Sequence, residues 1–151
     1  METKRSDRLS TVLRVAEVKE AQAAKQFGRL QEQLLYEQKK LEQLLNYETE
    51  YQENAKPAAG RPVTVRRLQQ MSQFLAQLTQ AVHQQQEQVD NINKHCETLR
   101  DVWVEAHQHT QTMQQLLGRY RQEEQRQEEK QEQLDADEVN TQQFIRGKQG
   151  P

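Results

Sequence analysis

The amino-acid sequence predicts an all-α fold: two long helices in an antiparallel coiled-coil hairpin, with the second helix longer. Three observations predict it. Over residues 68–120, alternate steps of three and four land on 16 positions, of which only Gln85 and Thr110 are clearly polar. A poorer stripe with the same rhythm runs over residues 9–51, where ten of 13 positions are apolar and Glu20, Glu37 and Glu48 interrupt. Between the stripes, Pro57, Gly60 and Pro62 break the helical pattern. A 3-4 spacing averages about 3.5 residues, so each stripe lies along one narrow side of a slightly underwound helix. Neither stripe can build a core alone, and each is the natural cover for the other.

Composition supports the same class. Of 151 residues, 33% are hydrophobic and 5% aromatic, with five glycines and three prolines. A globular interior needs more apolar bulk and more turn residues. The 28 glutamines and the charged residues form a solvated face. The net charge of -2 argues against a dedicated nucleic-acid binder. A single cysteine allows no intramolecular disulfide and fits a reducing compartment. No apolar run follows Lys4 and Arg5, and none approaches the ~20 residues that span a bilayer. The expected location is therefore cytoplasmic.

Taken in order, residues 1–8 are polar, with Thr3 or Ser6 as candidate helix caps. The first helix is expected over about residues 5–54, roughly 75 Å long. Gly28 lies off its stripe and costs about 1 kcal/mol against alanine. Residues 55–63 are the loop. Thr64 then stands where an N-cap belongs, and the second helix is expected over about 64–140, with a flexible tail at 141–151. The whole chain, 1–151, reads as one elongated domain.

Antiparallel pairing puts positions whose numbers sum to a constant in one layer. A loop centred near residue 59 favours a sum of 119. Ala16 then faces Trp103, Phe27 faces Ile92, Leu41 faces Leu78 and Leu44 faces Leu75. In that register everything after about Tyr120 lacks a partner, and residues 121–133 carry no apolar seam side chain.

Catalytic chemistry finds little support. Gly60-Arg61-Pro62 lacks the lysine and hydroxyl residue of a phosphate loop. His83, His95, His107 and His109 contain no i, i+4 pair, so no metal or other cofactor is expected. Cys96 falls on the seam, where a thiol is buried and inert. Lys4, Arg5 and Arg8 cluster at one end; Arg61, Arg66 and Arg67 cluster at the loop. Arg66 and Arg67 stand at a helix N-terminus, where cations are unfavourable. Tyr47 and Phe74 fall just off the seam on one flank, side by side at a sum of 121, with Lys40 and Ala81 continuing that flank. Leu45 is on the other. Ordinary seam-edge packing and a docking patch are both open readings of the two rings.

These residues resemble the FliJ family, small coiled-coil proteins of the bacterial flagellar type III export apparatus. The resemblance is carried by Tyr47-x-x-x-Tyr51 before the loop and by Gln73-Phe74-x-x-x-Leu78-x-x-Ala81 after it. Helix order and length match along essentially the whole chain. A histidine found in some members four residues past the alanine is Gln85 here. The resemblance implies a non-enzymatic stalk similar to the central shaft of rotary ATPases. It implies insertion of both termini into the hexameric export ATPase, with promotion of ring assembly. At matching positions it implies an export-gate binding patch of Leu44, Tyr47, Tyr51, Phe74, Leu78 and Ala81. The ATPase-facing end would comprise Lys4, Arg5, Arg8, Leu9, Leu117 and Tyr120. Export chaperones are further implied partners, and the protein would reach the inner membrane only through them, as a monomer when alone. Other readings of the residues are a virulence-secretion stalk, a generic coiled-coil adaptor, an RNA-binding helical arm and a homo-oligomer.

Overall fold

The computed structural model describes residues 4–55 and 62–148. It contains two helices, α1 (Arg5–Asn54) and α2 (Val65–Lys148), and no strand among the described residues. The chain divides into two compact units. One combines Met1–Glu20 with Glu105–Pro151, and the other is Ala21–Val104.

Both stripes are realised. All 13 stripe positions of α1 are buried or half-buried, and so are 15 of the 16 on α2. The most buried apolar side chains are Ala16, Ala23, Leu41, Val89, Ile92, Cys96 and Leu117. Several are seven residues apart, as a heptad seam requires. The exception is Leu68, 48% exposed. It lies in the first turn of α2, past the point where α1 ends.

The helix ends follow local chemistry. The Thr64 hydroxyl accepts the Arg67 N–H at 3.3 Å, capping α2. At the close of α1 the Ala55 N–H donates to the Tyr51 carbonyl at 2.9 Å. Pro57, Gly60 and Arg61 lie outside the described residues, as does Thr3. Ser6 is inside the first turn of α1 rather than at its cap. α2 runs to Lys148, beyond residue 140, where the sequence suggests a flexible tail. Arg146 and Lys148 stand in its last turn, where cations complement the helix dipole.

Within each unit the helix segments are antiparallel. In Ala21–Val104, Glu37 meets Gln85 while the later Tyr51 meets the earlier Phe74. In the other unit, Ser6 meets Glu124 and the later Glu20 meets the earlier His107. These contacts correct the expected register. The residue numbers sum to 122 for Glu37 and Gln85, 125 for Tyr51 and Phe74, 127 for Glu20 and His107, and 130 for Ser6 and Glu124. All four sums exceed the expected 119, and those of Tyr51 with Phe74, Glu20 with His107 and Ser6 with Glu124 lie nearer 126, one heptad beyond it. At a sum of 126, Leu41 faces Gln85 in place of Leu78 and Leu44 faces Val82 in place of Leu75; Leu41 and Gln85 are both buried. A heptad slide keeps every seam residue on the seam, so burial alone does not choose between registers. Polar partners do.

Candidate functional site

In the unit Ala21–Val104, the aromatic patch lies beside the last turns of α1. The Tyr51 and Phe74 rings pack with centroids 4.6 Å apart, tilted by 49°. Such an arrangement suits two ring quadrupoles better than a face-to-face stack. Phe74 is therefore paired with Tyr51 and not with Tyr47, as the longer register dictates. Tyr47 is 62% exposed and Phe74 43% exposed, whereas Leu44, Leu78 and Ala81 are half-buried. An open groove of about 530 Å³ runs past the rings, with Arg67, Asn54 and Met71 among its walls.

The same unit carries a polar layer that periodicity alone leaves unpaired. Gln85 is 8% exposed, and its amide donates to the Glu37 backbone carbonyl at 3.0 Å and to the Glu37 carboxylate. Two interruptions of the stripes thus satisfy each other, which removes the desolvation cost either would carry alone. Cys96 is buried about three turns farther along the seam, and burial pushes its thiol pKa up, away from the reactive thiolate.

In the other unit five of the six residues expected at the terminal end, Lys4, Arg5, Arg8, Leu9 and Tyr120, line grooves at the start of α1. Arg5 lies over the Tyr120 ring at 5.7 Å. Leu117 is buried, and Leu9 is half-buried. Arg5, Arg8, Leu9 and Tyr120 share a shallow groove. Lys4 pairs with Glu128 at 2.8 Å, and that hydrogen bond raises the lysine pKa.

Sequence reasoning missed the contacts that organise this end. Glu124 accepts from the Ser6 hydroxyl and backbone N–H, and those two bonds, in that order, lower its pKa. Pairing with α1 therefore extends to Glu128, not to about Tyr120. The signal was present as Glu124 and Glu128 at i, i+4 opposite Lys4, but it is invisible in a register one heptad short. Glu20 and His107 form a second polar pair, 2.5 Å apart, and the imidazole is the main cause of a lowered Glu20 pKa. Thr110 also neighbours Glu20, but its hydroxyl hydrogen is given to the Ala106 carbonyl at 3.0 Å, leaving His107 as the firm partner.

Beyond Glu128, α2 changes character. Residues 129–148 are all exposed, and among the described residues no hydrogen bond or ion pair joins them to α1. Leu134, Val139, Phe144 and Ile145 are 49–63% exposed. The described residues contain no group of three metal-ligand side chains, and none of their helices is long and apolar enough to cross a membrane.

No curated protein and no solved structure matches the chain. A family match does: the family described as flagellar FliJ protein, over residues 5–149. That span runs through both helices and both units, and it assigns the chain to the flagellar FliJ protein family, whose members are structural and coupling components of the flagellar export apparatus.

Proposed function

We propose that the chain is a non-enzymatic stalk and coupling protein of the flagellar export apparatus. In this reading the end around Lys4, Arg5, Arg8, Leu9, Leu117 and Tyr120, with the helical extension after it, enters the hexameric export ATPase and promotes ring assembly. The patch of Leu44, Tyr47, Tyr51, Phe74, Leu78 and Ala81 meets the cytoplasmic domain of the export gate. Export chaperones are escorted by the same chain, which reaches the inner membrane through its partners.

The observation that carries the reading is residues 129–148. They form a helix yet bury nothing against α1. A helix that keeps exposed leucine, phenylalanine and isoleucine gains its packing energy from a partner. The family assignment favours the flagellar apparatus over a virulence system as the source of that partner.

The test is a titration of the purified chain into its cognate export ATPase. Ring formation and ATP hydrolysis should both rise with added chain, and a chain ending at residue 128 should lose most of that effect. Rates that ignore the chain at saturating concentration would end the proposal. For the gate, Tyr47→Ala with Phe74→Ala should abolish binding while helicity is unchanged.

A further inference from the structure

One flank of the unit Ala21–Val104 has a charge pattern with a direction. Lys40, Tyr47 and Asn54 recur every seven residues on α1, just beside the seam. Arg67, Phe74 and Ala81 do the same on α2. In an antiparallel pair these two rows border the same flank. The groove that joins Asn54, Arg67 and Phe74 is the place where the rows meet.

These two rows hold two cations and two exposed rings, and no carboxylate. Glu37 and Glu48 belong to the seam, and Glu37 is bonded by Gln85. Glu50 stands one turn from Tyr47 and Asn54, outside the rows, and Glu53 lies farther out on α1. Neither the Lys40 ammonium nor the Arg67 guanidinium makes an ion pair among the described residues. Arg67 also stands in the first turn of α2, where the helix dipole adds to its positive field and no acidic residue offsets it. The pairings of this unit, Glu37 with Gln85 and Tyr51 with Phe74, put Lys40 and Arg67 about 15–18 residue steps apart along the axis, roughly 25 Å, with both rings between them.

We propose that this flank docks an acidic amphipathic segment of a partner protein. Its apolar side chains cover Tyr47 and Phe74, and carboxylates near its two ends pair with Lys40 and Arg67. The pairing rests on the reading of the two rings as docking residues and adds the chemistry that selects the occupant. Apolar contact between rings and segment supplies affinity. The bracketing cations fix its placement along the flank and reject a basic segment.

The test uses the full chain and two synthetic helical peptides of about 20 residues. Both have leucines at the centre; one has glutamates in its first and last turns, and its twin has lysines there. The acidic peptide should bind at least tenfold tighter than the lysine twin, with an affinity that falls as salt rises. Lys40→Gln with Arg67→Gln should erase that preference, and circular dichroism should show unchanged helix content. Tyr47→Ala with Phe74→Ala should weaken both peptides alike. A wild-type chain that binds the twins equally, or a preference that survives the double glutamine variant, overturns the proposal. Loss of gate binding in the ring variant without any charge preference would leave the docking patch standing and remove only its acidic selectivity.

Discussion

The Glu124 carboxylate caps a helix to which it does not belong, accepting the Ser6 backbone N–H at 3.1 Å and the Ser6 hydroxyl at 2.6 Å. The first N–H groups of α1 have no partner within their own helix, and a carboxylate from α2 complements their partial positive charge. Replacing Glu124 with alanine should therefore fray the first turn of α1 rather than unfold the unit. Hydrogen exchange at the Ser6 amide should speed up by about an order of magnitude. Exchange in the middle of α1 should not change.

Acid should loosen this end of the chain. Glu20 and Glu124 both have folded pKa values below their ordinary ones, held there chiefly by His107 and by Ser6. A carboxylate depressed on folding adds stability above its unfolded pKa and loses it as pH falls through the folded value. Thermal melts taken from pH 7 down to pH 3 should show Tm falling at the acidic end. The variant Glu20→Gln with Glu124→Gln should start less stable and show a flatter fall.

The pair of buried Gln85 and half-buried Glu37 should specify register at some expense in stability. Replacing Gln85 alone with leucine strands the Glu37 carboxylate against an apolar neighbour and should cost about 1–3 kcal/mol. Replacing both with leucine should recover that loss and raise stability by about 1–3 kcal/mol. Urea unfolding of the two single variants and the double variant gives the coupling directly.

The register itself can be read by disulfide trapping in a Cys96→Ser background. Leu41→Cys with Gln85→Cys should oxidise readily within one chain. Leu41→Cys with Leu78→Cys, a heptad away, should not, because roughly 10 Å of axial offset exceeds disulfide geometry.

Gly28 interrupts α1 without serving a close approach, since a Cβ placed there meets nothing within 4 Å. Gly28→Ala should stabilise the protein by about 1 kcal/mol. On the seam, Ile92→Ala should cost about 2–4 kcal/mol, because Ile92 is 7% exposed and its loss leaves a void. Chemical denaturation resolves both.

What the sequence by itself determined was the pair of helices and the face each one buries. The 3-4 rhythm names the buried positions without reference to any partner, and Leu68 is the sole seam residue left exposed, where α1 has already ended. Thr64 was legible as a cap because its hydroxyl acts on its own chain neighbours. The register was not legible, because sliding by seven residues returns every apolar side chain to the seam. With the register went the pairing of Phe74 with Tyr51 and the reach of α1 as far as Glu128. Only the tertiary structure decided those, since hydrogen bonds such as Ser6 to Glu124 and Gln85 to Glu37 form at one offset and are lost at the next. Apolar contact is nearly indifferent to a heptad slide, whereas directional polar contact is not.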